Sequence, residues 1–151
     1  MIEERMRELG IELPPAARPV ASYVPVTVGA GLAFVAGQIA MEDGKLIATG
    51  QVGKEVGIEE GQALARRAAL QGLAALKDEL GSLDRIKRIL KLTVWVACDG
   101  DFTDHPKIGN GASDVLVEIF GDAGKHARAA VGAPSLPLGG PVEVEMIAEI
   151  G

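Results

Sequence analysis

His126-Ala-Arg-Ala-Ala-Val-Gly-Ala-Pro-Ser-Leu-Pro-Leu-Gly-Gly-Pro-Val-Glu-Val-Glu-Met-Ile-Ala-Glu-Ile-Gly151 closes the chain and decides how it folds. An isolated cation, Arg128, sits among small apolar residues, and a loop rich in proline and glycine follows at 134–141. The chain then alternates strictly. Val142, Val144, Met146, Ala148 and Ile150 fall on one face of a strand, with Glu143, Glu145, Ile147 and Glu149 on the other, because successive side chains of a strand point to opposite sides. If the loop lays the two segments side by side, Arg128 and Glu143 flank one site. A fixed cation beside a carboxylate suits the capture of a small carboxylic acid and the handling of a water.

The rest of the chain bounds what can surround that stretch. Its 151 residues read as one domain, 1–151, with enough chain to bury a core. Hydrophobic residues make up 48% of the sequence but aromatics only 3%, so the core must be built from Ala, Val, Leu and Ile. A net charge of −6 speaks against non-specific nucleic-acid binding, which needs clustered Lys and Arg to neutralise phosphates. A single cysteine, Cys98, rules out an intrachain disulfide and suits a reducing cytosol. The charged start, Met1-Ile-Glu-Glu-Arg-Met-Arg-Glu-Leu9, has no apolar secretory core. No stretch approaches the ~18 consecutive apolar residues of a membrane span. A soluble, cytoplasmic protein is expected.

Working outward, Arg88–Cys98 alternates like the last strand but is largely apolar on both faces, which predicts a central strand. Cys98 reads there as a packing residue. Ile58–Leu80 changes to helical spacing, with Leu64, Ala68, Ala69, Leu73, Leu76 and Leu80 on one stripe and Gly81 as terminator. Arg66 and Arg67 fall away from that stripe, on a solvated face. Asp101–Phe120 predicts a second helix with Ile108, Ala112, Val115, Leu116, Ile119 and Phe120 inward, its first turn weakened by Gly109 and Gly111. Residues 22–28 and 32–38 form a hairpin about Gly29-Ala30-Gly31, with Pro25 demoting the first run to an edge. Its second run ends in Ala36-Gly37-Gln38, where glycine admits a ligand or another backbone. Lys45–Ala48 is a third short strand. Residues 2–9 form a short helix ending at Gly10, within an N-terminal extension, 1–20. His105 and His126 lack metal-ligand spacing, so no metal and no cofactor is assigned.

This order predicts an α+β fold in which a single mixed sheet carries two helices on one face. The opposite face, holding Trp95 and Ile147 and rimmed by Glu, needs a partner, and self-association supplies one.

In the order and spacing of these motifs the chain resembles the Rid/YjgF family of reactive intermediate deaminases, in a longer, N-terminally extended branch. The resemblance runs from Tyr23 to Ile150. It rests on Tyr23-Val24, Ala36-Gly37-Gln38-Ile39, Leu92-Thr-Val-Trp-Val-Ala97, Ala127-Arg128-Ala129, Leu136-Pro137 and Val142-Glu143-Val-Glu145-Met-Ile-Ala148. It implies a chorismate-mutase-like fold whose homotrimer closes three sheets into a barrel, with clefts between subunits. It also implies hydrolysis of small enamine or imino acids to 2-keto acids and ammonia. Arg128 would hold the substrate carboxylate, Glu143 would position a water, and Tyr23 would line the cleft beside Gly37. Three positions depart from the deaminase pattern. Ala36 replaces a usual Ser, Ala130 replaces Cys or Ser, and His126 replaces a common Pro. Three classes of function follow: an imine or enamine hydrolase, a non-catalytic trimer binding small carboxylates, and an endoribonuclease or translation inhibitor. The acidic charge weighs against the third.

Overall fold

In the computed structural model, which describes residues 1–18 and 21–151, the last strand stands in the middle of the sheet. The elements are α1 (Ile2–Glu8), β1 (Val26–Gly29), β2 (Leu32–Ile39), β3 (Met41–Glu42), β4 (Lys45–Leu46), α2 (Ile58–Leu80), β5 (Ile86–Ala97), α3 (His105–Phe120), β6 (Ala127–Ala133) and β7 (Val142–Ile150). The main sheet has the order β1-β2-β7-β5-β6. β7 is antiparallel to both of its neighbours, and β5 and β6 are parallel. A parallel pair needs a crossover, which α3 supplies. α2 makes the longer crossover from β2 to β5, leaving the gap that β7 fills.

Two helices on one sheet face are as expected, and the α2 boundaries coincide with the expected ones. Gly81 ends α2 in the left-handed region, φ 84°, where glycine pays no steric penalty. The hairpin differs from expectation at its start. β1 begins at Val26 rather than at residue 22, because Pro25 has no N–H for the ladder. Its carbonyl accepts from Ala36 N at 2.8 Å instead. The expected third strand is only Lys45–Leu46, paired with Met41–Glu42 in a small separate hairpin about Asp43-Gly44, both at positive φ.

The core lies between the sheet and the two helices. Leu92, Val94, Val96, Val142, Val144 and Ala148 are almost wholly buried against Leu73, Leu76, Ile108, Val115 and Leu116. With few aromatic side chains, the layers must come close, and glycines allow it. Gly72 of α2 seats the Met146 side chain, and Gly111 of α3 leaves no room for a methyl beside the backbone carbonyl of Gln62. Gly109 and Gly111 therefore serve contacts of α3, rather than merely loosening its first turn. Gly111→Ala should destabilise the protein by about 1–3 kcal/mol through overpacking. That is a drop in melting temperature of roughly 2–4 °C per kcal/mol, readable by calorimetry.

α1 covers an edge of this core. Met6 and Ile11 are buried, while Asp84 Oδ1 accepts from Ile2 N at 2.8 Å and Glu3 Oε1 from Leu83 N at 3.2 Å. No described helix is long and apolar enough to cross a membrane.

Candidate functional site

Arg128 and Glu143 occupy opposite faces of the sheet. Arg128 lies beside Leu92 in the parallel ladder. Leu92 is fully buried beneath the helices, so Arg128 points to that same face. Because β6 is the last strand, the side chain emerges at the edge, against α3. Glu143 pairs with Trp95 and Ile39 and points to the open face. The loop does not lay the two segments side by side: β5 runs between β6 and β7. One chain thus carries two separate half-sites.

The first half-site is a cation held by neutral acceptors. Arg128 Nη1 donates to Asn110 Oδ1 at 2.9 Å and Ser113 Oγ at 3.1 Å, and Nη2 donates to the Pro106 carbonyl at 3.4 Å. Gly109 makes this possible, since a Cβ there would stand 3.1 Å from Nη1. Ala130 follows on the same face and packs against the core. Among the described residues Arg128 has no carboxylate partner, so the structural salt bridge to the last strand that its sequence context would equally allow is not formed. Both Nη1 protons are engaged. Nε–H and one Nη2–H have no hydrogen-bond partner among the described residues, and a pair of parallel donors on a guanidinium edge matches the two oxygens of a carboxylate.

The second half-site is built on a break in β2. The β2–β7 register shifts between Val35 and Gln38, a bulge of the kind that re-aims side chains. The Glu143 carboxylate lies over Gly37, where any Cβ would collide with it. Glycine at this position therefore admits a side chain, rather than a ligand or another backbone. Burial, with Glu145 second, pushes the Glu143 carboxyl above the usual carboxylate range. Beside it, Tyr23, Phe34, Ala36, Thr93, Glu145 and Ile147 line an open concavity of about 550 Å³. Tyr23 is 57% exposed, standing at its wall.

Behind the bulge, sequence reasoning missed a buried polar brace. Gln71, 2% exposed on the otherwise apolar stripe of α2, accepts from Met41 N at 2.7 Å and donates to the Ile39 carbonyl at 2.9 Å. Arg67 is not on a solvated face. It is half-buried, and its Nη2 donates to the Met41 carbonyl at 2.9 Å. Arg66, by contrast, lies at the surface near Glu118, at 3.9 Å. Asn110 and Ser113 were also missed, since two polar residues three apart on a helix read as an ordinary solvated flank. Cys98 is buried and its thiol is pushed up by burial and by Asp99, as a packing residue requires.

The raised Glu143 carboxyl has a stability consequence. The folded state holds this proton more tightly than the unfolded chain does. Stability is therefore full below the ordinary Glu value of ~4.3 and declines as pH rises toward the raised folded value. Glu143→Gln removes that cost. It should melt above the parent at neutral pH, and the difference should vanish in melts recorded below about pH 4.

Residues 3–150 match the family model described as "YjgF/chorismate_mutase-like, putative endoribonuclease". Protein TCP17 of Trypanosoma cruzi is 41% identical over 150 residues, covering 99% of this chain and 94% of its own length. A crystal structure of a protein of unknown function from Agrobacterium tumefaciens superposes with a TM-score of 0.91 at 42% identity, covering 99% of this chain and 92% of the other. Another, described as a "putative endoribonuclease" from Shewanella oneidensis, gives 0.94 at 37%, covering 99% of both chains. The match begins at residue 3, so the N-terminal segment belongs to the family unit. The expected extension, 1–20, is not borne out; its last two positions lie outside the described residues.

Proposed function

This chain belongs to the YjgF/chorismate-mutase-like family, and we propose that within it the chain hydrolyses small 2-imino or enamine acids in clefts between three copies of itself. The observation that carries this reading is Arg128, a cation fixed by three neutral acceptors with one donor edge unspent. A cation so held, with no carboxylate beside it among the described residues, suits an external anion. Glu143 supplies the complementary chemistry on the other half-site. Its raised carboxyl brings it nearer to neutral pH, where one group serves well as both base and acid.

In the proposed reaction Arg128 takes the carboxylate of the imino acid, and Glu143 of a neighbouring copy holds a water. Glu143 accepts a proton as the water oxygen adds to the imine carbon. That proton passes to the imine nitrogen to give a carbinolamine. Glu143 then takes the carbinolamine hydroxyl proton and delivers it to the same nitrogen as the carbonyl forms, the carbon–nitrogen bond breaks, and ammonia leaves behind a 2-keto acid. Tyr23, Ala36 and Gly37 shape the Glu143 side, and Ala130 shapes the Arg128 side. Ala36 and Ala130 offer neither hydroxyl nor thiol, so the cleft suits a larger or more apolar side chain and slower turnover.

A trimer is part of the same proposal. Phe34, 44% exposed, and Val131, 38% exposed, lie on the open face with Ile147 and Trp95, an apolar surface that self-association would cover. Sedimentation equilibrium should give three times the chain mass at micromolar concentration, and a stable monomer would contradict it.

The lost polar groups at Ala36 and Ala130 favour a second reading, a non-catalytic trimer that binds small carboxylates. A ribonuclease is disfavoured because Glu143, Glu145 and Glu149 outnumber Arg88 and Lys91 on the open face and would repel phosphates. An amino-acid oxidase generating the imine, with and without the protein, separates the first two. A shortened imine half-life supports hydrolysis; equal half-lives across several side-chain sizes leave the binding trimer.

A further inference from the structure

We infer that Ser113 and His126 are positioning residues, a hydrogen-bonded relay that locks the Arg128 guanidinium in the orientation that leaves its Nε–Nη2 edge free. The inference deepens the proposed function and rests on it for the identity of the ligand, a small planar carboxylate.

The polarity of the relay is set at its far end. His126 Nδ1 lies 2.7 Å from the Gly124 carbonyl oxygen, which can only accept, so Nδ1 carries the proton. In a neutral imidazole the other nitrogen is then an acceptor. His126 Nε2 lies 2.9 Å from Ser113 Oγ, and the serine hydroxyl must donate to it. The oxygen of Ser113, its proton committed, turns a lone pair toward Arg128 Nη1 at 3.1 Å. The opposite tautomer would set a bare Nδ1 against the carbonyl oxygen, lone pair against lone pair. For the neutral ring only one direction is consistent.

Strand geometry places the parts. His126 stands two residues before Arg128, and so on the same side of the chain, while α3 brings Ser113 between them. Without the imidazole the hydroxyl can rotate its proton toward Nη1. Without the hydroxyl, Nη1 keeps only Asn110, and the planar group can swing about its last torsions. Either change spoils an edge that must meet both oxygens of a carboxylate at once.

Two measurements on the intact protein test this. Long-range ¹H–¹⁵N spectra of the imidazole should show His126 as the neutral Nδ1–H tautomer, and an Nε2–H ring would overturn the relay. Without ligand, the Arg128 Nη resonances should be resolved in the parent, reporting hindered rotation. They should coalesce in Ser113→Ala and His126→Phe and be resolved again in Ser113→Thr, which keeps the hydroxyl. Coalescence in the parent, or no change in the variants, would refute the positioning role. Titration with a 2-keto acid adds the functional arm: Ser113→Ala should bind roughly ten- to a hundredfold more weakly, with the melting temperature held and Ser113→Thr recovering most of the loss. Equal binding by parent and Ser113→Ala defeats the inference while the proposed function stands. A parent that binds no 2-keto acid defeats the proposed function, and the resonances still decide the relay.

Discussion

Arg128→Ala should lose 2-keto acid binding by roughly thirtyfold to several thousandfold, the equivalent of 2–5 kcal/mol for a buried charge pair that loses one partner. The loss is large because nothing nearby can substitute. Asn110, Ser113 and the Pro106 carbonyl hold the guanidinium as neutral groups, and none of them brings a positive charge to the ligand. Arg128→Lys should recover only part, since an ammonium keeps the charge but lacks the planar fork. Calorimetric titration reads both variants, with sedimentation confirming that assembly is kept. Undiminished binding by Arg128→Ala would move the anchor elsewhere.

Glu143→Gln should depress imine hydrolysis by roughly 10²–10⁴, the usual worth of a positioned acid–base group, while 2-keto acid affinity stays nearly constant. The substitution keeps the size that the space over Gly37 accommodates and removes only the ionisable group. The same variant should be more stable than the parent at neutral pH, so lost activity could not be blamed on unfolding. Ala36→Ser with Ala130→Cys should act in the opposite sense and raise turnover, by returning polar groups to the two half-sites. Coupled oxidase kinetics read all of these, and a Glu143→Gln enzyme with parental turnover would remove Glu143 from the chemistry.

The parts of this architecture that were legible from sequence are those with strong local contrast. The α2 stripe, Gly81 and the alternation of β7 each set apolar against polar residues at a fixed period. The proline at 25 marked where β1 could not pair. What stayed hidden depends on strand order and on residues without contrast. Nothing local announces that β7 inserts between β2 and β5, and this insertion separates Arg128 from Glu143. β6 itself reads Ala-Arg-Ala-Ala-Val-Gly-Ala, small on both faces, so its pattern gives no face to Arg128. Gln71 hides within an apolar stripe because its partners, Ile39 at the end of β2 and Met41 in β3, lie 32 and 30 residues away in the chain. Asn110 and Ser113 look like an ordinary helix flank until the edge strand brings Arg128 beneath them.

The central proposal is that neighbouring copies complete one site, Arg128 from one and Glu143 from the next. Subunit mixing tests it most directly. Arg128→Ala and Glu143→Gln proteins are each prepared as inactive assemblies, then unfolded together and reassembled at equal concentration. In a ring of three, every mixed assembly holds one cleft with both residues intact, so random mixing should restore roughly a quarter of the parental sites. Imine hydrolysis rising toward that level, with each variant alone remaining inactive, is the predicted result. Mixed assemblies no more active than either variant alone would contradict a site shared between copies.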